Sequence, residues 1–143
     1  MVGLSSLLST PRLTKRLVNV YRVIKASKST EELEAFENGR RSTTCLVMLA
    51  ILFGRPLIAN ELLRGIHERT APFDVSGQRL VDALKARTPR ADEPARVTQA
   101  WQETTALLES IGIDQTVGAF AQEPQEVARY SLASGHEWHT WRR

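Results

Sequence analysis

The sequence has very little cysteine, and it has no apolar run long enough to cross a membrane. Its single cysteine, Cys45, excludes an intramolecular disulfide framework and is typical of a protein in the reducing cytoplasm. Because Cys45 lies in an apolar run, we expect a buried thiol without a catalytic role. That run, Cys45–Phe53, is about half of the roughly 20 residues that span a bilayer, so we expect no transmembrane segment.

The residues that hold nucleotide phosphates in a P-loop are also missing. A P-loop requires the pattern G-x-x-x-x-G-K-[ST], because its glycine N–H groups and its lysine bind the phosphates. No Gly-Lys pair occurs in the 143 residues, and no apolar strand ends in acidic residues that hold Mg²⁺. No serine, histidine or carboxylate pair has a catalytic spacing. We therefore expect no ATP hydrolysis and no other catalytic activity from this chain alone.

Acidic residues are absent from the first 28 positions, which contain six basic residues. The remaining chain carries 13 basic and 16 acidic residues, so a strongly cationic segment precedes a mildly acidic body. Residues 11–28 are predicted to form a helix, because proline suits a first turn and apolar residues recur with the helical period. The apolar face comprises Leu13, Leu17, Val20, Tyr21 and Ile24. The opposite face comprises Arg12, Lys15, Arg16, Asn19 and Arg22.

Three interpretations of this cationic face stay open at the level of composition. It is a solvated helix face, as most charge runs are. Alternatively, it binds phosphate, either in a nucleotide or in a nucleic-acid backbone, because arginine and lysine side chains that face one way attract anions. The third alternative is contact with an anionic membrane surface or an acidic protein.

A family resemblance rests on the pattern Pro-Arg-x-x-Lys-Arg-Leu-Val-Asn-x-Tyr-Arg over residues 11–22. It resembles the segment that closes the NTPase module of KAP-type P-loop NTPases, a class related to the STAND and AAA+ ATPases. The similarity continues more weakly through Leu46–Pro56 and Val127–Leu132. In that family a similar motif opens a helical region after the nucleotide-binding core. By analogy with AAA+ lids, the resemblance implies that Arg12 contacts the nucleotide phosphates, with Lys15 and Arg16 beside it.

Since the P-loop itself is missing, the resemblance implies a helical, lid-like C-terminal region of such an NTPase without its catalytic core. The chain is then a fragment, a truncated product or one half of a split protein. Its expected partner is a P-loop NTPase core on another chain, and ATP reaches it only through that core. No cofactor of its own is expected.

Helical patterns dominate the rest of the sequence, and they predict an all-α domain of six to eight short helices in an orthogonal or bundle-like arrangement. We expect a lead-in segment over 1–10, a helical domain over 11–135 and an aromatic, basic tail over 136–143. The segment 88–94 contains two prolines and is predicted to be either a loop or an internal boundary. No internal repeat and no strand alternation is visible.

Short local patterns predict where individual helices begin and end. Residues 29–32 match a capping box and predict the start of a helix. The apolar run after Cys45 predicts a central helix over 40–53, with a buried strand as the alternative. Gly54 is predicted to end that helix as its C′ residue, and Ser76 to cap a later helix that runs to Arg87. The helix that starts at 92–94 is predicted to end at Gly112 in a Schellman turn.

The last eight residues, 136–143, combine histidine, tryptophan and arginine. A zincin requires H-E-x-x-H, whereas His136 and His139 are three positions apart, so no metal site is expected. The tryptophans suit stacking on a base or insertion at a membrane interface. The alternative is an anchor that docks the C-terminus onto the helical body.

The predicted function is therefore a lid or accessory module of a KAP-type NTPase, without ATPase activity of its own. One alternative is a stand-alone basic helical module that binds nucleic acid. Another is a structural or regulatory interaction domain, which an exposed apolar patch around Leu4–Leu8 would favour.

Overall fold

The computed structural model describes residues 7–38 and 41–121, and over these residues the chain is helical and contains no strand. The predicted all-α class is confirmed. The described helices are α1 (Pro11–Ala26), α2 (Thr30–Asn38), α3 (Arg41–Gly54), α4 (Pro56–Glu68), α5 (Leu80–Ala86), α6 (Ala95–Ile111) and α7 (Val117–Ala121). The weaker similarity over Val127–Leu132 and the tail over 136–143 lie outside the described residues. None of the described helices is long and apolar enough to cross a bilayer.

Helix α3 lies at the centre of the fold, because its side chains are apolar in nearly every direction. Each residue from Thr44 to Phe53 is buried, and the helix contacts α1, α2, α4 and α7. This confirms the predicted central helix and excludes the alternative of a buried strand. Full burial of a side chain of leucine or phenylalanine size contributes roughly 1.5–3 kcal/mol, so α3 supplies a large share of the hydrophobic stabilisation.

The predicted capping box at the start of α2 is confirmed. The Glu32 N–H donates to the Ser29 hydroxyl at 3.2 Å, and the Ser29 N–H donates to the Glu32 carboxylate at 3.1 Å. Two amides that would otherwise lack partners are thereby satisfied. Helix α1 ends at Ala26, two residues before the predicted end, where the Ser27 hydroxyl donates to the Ile24 carbonyl at 2.6 Å.

Gly54 does not act as the predicted C′ residue, because it is the last residue of α3 itself. Its position is explained by close packing against the segment before α1. A Cβ atom at Gly54 would lie 1.8 Å from the Leu7 carbonyl oxygen, so no larger residue fits there. Leu7 is buried, with a relative exposure of 1%. The end of the lead-in segment therefore packs against the core.

The helix predicted to begin at Ser76 begins at Leu80 instead. Main-chain hydrogen bonds join the Leu80 N–H to the Gln115 carbonyl at 3.0 Å and the Val117 N–H to the Gln78 carbonyl at 2.8 Å. These long-range bonds hold the residues just before α5 in an extended conformation. The Ser76 hydroxyl accepts a hydrogen bond from Arg69 and does not cap the helix.

Helix α6 ends in the predicted Schellman turn. Gly112 adopts a left-handed conformation with φ 86°, which suits glycine because it has no Cβ atom. The Ile113 N–H donates to the Leu108 carbonyl and the Gly112 N–H donates to the Glu109 carbonyl, both at 3.1 Å. These are the two bonds that define the motif.

Candidate functional site

The predicted division of α1 into an apolar and a cationic face is present in the structure. Leu17 and Ile24 are buried against the core, while Arg12, Lys15 and Arg22 are exposed. Because α1 packs mainly against α3, its opposite side remains open to solvent. We call the exposed cations Arg12, Lys15 and Arg22 the basic face of α1.

The side chains of the basic face have no acidic partner among the described residues, a property that they share with a few other exposed cations such as Arg64 and Arg96. Within residues 7–38 and 41–121, none of its three side chains takes part in an ion pair. Six other basic residues do form ion pairs, namely Lys25, Arg55, Arg79, Lys85, Arg87 and Arg90. Their charges are balanced inside the molecule. The charge of the basic face is available to an external anion.

The N-terminal end of α1 increases this positive potential. The first turn of α1 contains no acidic residue, whereas the first turn of α2 contains two. The helix dipole places a partial positive charge at the N-terminus of α1. Arg12 and Lys15 each add a full positive charge at the same end. An open depression of about 480 Å³ lies beside this end, lined by Leu8, Ser9, Thr10, Pro11, Thr14 and Lys15.

The N-terminal end of α1 offers fewer free backbone N–H groups to an anion than a typical anion-binding helix N-terminus does. Pro11 has no N–H, and the Leu13 N–H already donates to the Thr10 hydroxyl at 3.3 Å. The Thr14 N–H is bonded to the Thr10 carbonyl. An anion at this end would therefore be held mainly by the side chains of Arg12 and Lys15.

Arg16, the third residue predicted to contact phosphate, has a different environment from Arg12 and Lys15. Its guanidinium carbon lies 5.2 Å from the centroid of the Phe53 ring of α3, in a cation–π contact. Lys25 is likewise engaged, because its ammonium group binds Glu37 at 2.9 Å. The hydrogen bond to Glu37 raises the pKa of Lys25. Arg16 and Lys25 thus border the basic face without belonging to it.

A second charged cluster joins α4, α5 and the segment before α6, and the sequence did not indicate it. Arg87 donates to the carboxylates of Glu61, at 3.2 Å, and Glu93. Arg90 also donates to Glu61. We call these four residues the arginine–glutamate cluster. Because it ties the segment 88–94 to α4, that segment is packed against the helical body.

Glu93 is the most buried member of the cluster, with a fully covered side chain. The hydrogen bond from Arg87 holds the pKa of Glu93 below its usual value, although burial alone would raise it. The Thr98 hydroxyl also donates to Glu93, at 2.6 Å. The guanidinium carbon of Arg87 lies 4.0 Å from the centroid of the Trp101 ring. The guanidinium group of Arg87 is therefore held by its ion pairs with the two glutamates and by its contact with the Trp101 ring.

Two cavities adjoin Arg87 and Trp101. The first, of about 370 Å³, is lined by Glu61, Gly65, Thr70, Ala71, Pro72, Phe73, Ala86, Arg87, Thr88, Arg90 and Trp101. The second, of about 350 Å³, shares Arg87 and Trp101 and continues along α6. The buried Nε1 of Trp101 has no hydrogen-bond partner among the described residues. A buried donor without an acceptor typically costs about 1–3 kcal/mol.

The sequence contained only part of the information needed to find this cluster. The helical period of α6 predicts that Trp101 faces inward, and it is 4% exposed. Nothing in the spacing of Arg87, Glu93 and Glu61 predicts their contact, because the loop geometry and the docking of α4 bring them together. His136 and His139 lie outside the described residues. Within those residues, no group of three or more histidine, cysteine or acidic side chains is placed to hold a metal ion.

Comparisons with models of protein families, with curated proteins and with solved structures found no match to this chain. Function is therefore inferred from the geometry of the basic face and of the arginine–glutamate cluster.

Proposed function

We propose that this chain is a helical accessory module that contacts the phosphates of a nucleotide held by a P-loop NTPase core on another chain. Arg12 makes the contact, Lys15 supports it, and Arg16 lies beside them. The module has no ATPase activity of its own. The proposal is carried by the absence of acidic partners for Arg12 and Lys15 within the described residues, at the positive end of α1. The similarity of residues 11–22 to the closing segment of KAP-type NTPases suggests which partner supplies the nucleotide.

The lid geometry that this proposal requires is consistent with the packing of α1. The helix is fixed to α3 by its apolar face, so its cations are presented on a rigid element. A guanidinium–phosphate contact on such an element contributes about 1.5–3 kcal/mol, because both groups are charged. Substitution of Arg12 by alanine should therefore weaken the effect of the chain on ATP turnover by about 10- to 100-fold.

The test is reconstitution with a P-loop core, the first candidate being a neighbouring reading frame that encodes a Walker A sequence. ATP turnover by the core is measured alone, with the wild-type chain, and with Arg12→Ala. We expect the wild-type chain to change the turnover and Arg12→Ala to lose most of that change. Arg64→Ala is the matched control, since Arg64 is exposed on α4 and has no ion pair within the described part of the chain. Equal effects of both variants would refute the phosphate contact.

A second candidate function, binding of a nucleic-acid backbone, is favoured by the length of the basic face. Arg12 and Arg22 are ten residues apart, which corresponds to about 15 Å along the helix axis. That distance covers about four nucleotide steps of 3.4 Å, more than a single nucleotide requires. Nucleic-acid binding predicts a linear fall of log K with log salt, with a slope near −0.9 for each phosphate contacted.

Fluorescence anisotropy with a labelled DNA duplex at two salt concentrations separates these two candidates. Tight binding with a slope near −2 to −3, reduced by about one unit in Arg22→Ala, would support nucleic acid as the ligand. Feeble binding with no loss in Arg22→Ala would favour the accessory module. Arg22 is the informative position because it lies about 15 Å from Arg12 along the helix axis, whereas the proposed nucleotide contact is made by Arg12 and Lys15.

A further inference from the structure

The cavity between α4 and α6 combines aromatic walls with charged groups at its mouth. Phe73 and Trp101 are buried and line its interior. The side chains of Glu61 and Arg90 are 38% and 58% exposed, which places them at the opening. Its volume of about 370 Å³ falls within the roughly 300–1,000 Å³ typical of small-molecule sites. An occupant of this cavity would present an apolar body to the interior and a polar group to the opening.

The opening already binds one carboxylate, that of Glu61. Arg87 donates to one of its oxygens at 3.2 Å, and Arg90 donates to the other. This arrangement resembles the way in which arginines bind the carboxylate of a ligand. The side chain of Glu61 is 38% exposed, so a second carboxylate can approach the same two donors from solvent.

Displacement of Glu61 would leave no buried charge unpaired. Arg87 would keep its ion pair with Glu93, whose side chain is fully covered, and its contact with the Trp101 ring. Arg90 and Glu61 would both remain in contact with solvent. Exchange of one carboxylate for another therefore avoids the large penalty of isolating a buried ion.

We propose that this cavity binds a small aromatic carboxylate. Its carboxylate replaces that of Glu61 between Arg87 and Arg90, and its ring packs against Trp101 and Phe73. The site is separate from the basic face of α1 and does not depend on the proposed function. The competing carboxylate of Glu61 makes the affinity weak, with dissociation constants in the millimolar range.

The test uses the whole chain, labelled with ¹⁵N, and benzoate as the probe. The indole N–H resonance of Trp101 is followed during the titration, and it is assigned with Trp101→Phe. We expect a saturable shift of this resonance with benzoate and at least a tenfold weaker response to benzamide, which has the same ring without the charge. No saturable shift with benzoate, or equal affinities for benzoate and benzamide, would overturn the proposal.

Two substitutions at the opening sharpen the test because they act in opposite directions. Arg90→Gln removes one donor and should weaken benzoate binding about tenfold. Glu61→Gln removes the competing carboxylate and should strengthen binding by a similar factor.

Arg96→Gln is the matched control for Arg90, since Arg96 is exposed on α6 and does not line the cavity. Circular dichroism checks that each variant is folded. If Glu61→Gln weakens binding, or if Arg90→Gln and Arg96→Gln behave alike, the proposed exchange of carboxylates is wrong.

Discussion

Arg87 and Glu93 form a partly buried ion pair that closes the segment between α5 and α6. The guanidinium donates to both carboxylate oxygens, the longer of the two contacts being 3.4 Å. The side chain of Glu93 is fully covered and that of Arg87 is 10% exposed. Because both charges have left water, each depends on the other, and the segment 88–94 is held against α4 and α6 by this pair.

Loss of the Glu93 charge should destabilise the protein strongly. Glu93→Gln keeps the shape of the side chain but leaves Arg87 with Glu61 as its only carboxylate partner in the cluster. Loss of a hydrogen-bonded charge at such a partly buried site costs about 1.5–3 kcal/mol. The free energy of unfolding in urea, followed by circular dichroism, measures this loss. The matched control is Glu109→Gln, because the ion pair of Glu109 with Lys85 is exposed. We expect that control to change the stability by less than about 1 kcal/mol.

The contribution of this ion pair should depend on pH in a defined direction. The pKa of Glu93 lies below its ordinary value of 4.5, chiefly because Arg87 donates to its ionised form. A carboxyl group with a lowered pKa stabilises the folded state above its ordinary pKa and loses that contribution as the pH falls through the lowered value. The difference in unfolding free energy between wild type and Glu93→Gln should therefore be constant from about pH 7 to about pH 5 and should shrink at lower pH. A difference that grows on acidification would contradict this assignment.

Gly54→Ala should displace the segment that precedes α1. The added Cβ atom would lie 1.8 Å from the Leu7 carbonyl oxygen, so either that segment or the end of α3 must move. Overpacking of this kind typically costs about 1–3 kcal/mol. Gly77→Ala is the matched control, because a Cβ atom at Gly77 meets nothing within 4 Å. Urea unfolding of the two variants compares them directly, and equal stabilities would show that Leu7 does not pack on Gly54 in solution.

Ser29→Ala should weaken the start of α2. The substitution removes the hydroxyl that accepts from the Glu32 N–H, and it leaves that amide without its cap. Loss of a serine cap typically costs about 1 kcal/mol. Ser110→Ala, at an exposed position within α6, is expected to change the stability little, since alanine is the better helix former there. Thermal unfolding of the two variants tests whether the capping box stabilises α2 in solution.

The sequence predicted the helices well because their causes are local. The apolar period of α1, the capping box before α2 and the glycine that ends α6 act within a few residues, and each is present in the structure. The composition of the run that ends at Phe53 likewise identified the central helix. The roles predicted for Gly54 and Ser76 at helix ends were wrong, because in both cases a distant segment decided the conformation. Leu7 packs on Gly54, and the residues near Gln115 hold the chain extended before Leu80.

By itself, the sequence determined the all-α class and the separation of the cations of α1 from its apolar face, since both follow from side-chain periodicity along one helix. Only the tertiary structure decided which charges remain available. It paired Arg87 and Arg90 with Glu61 across more than 25 positions of the chain, and it placed Arg16 on Phe53. It left Arg12, Lys15 and Arg22 without acidic partners in the described part of the chain. The physical reason is that ion pairing depends on distances of a few ångströms between helices, and those distances are set by how the apolar faces pack.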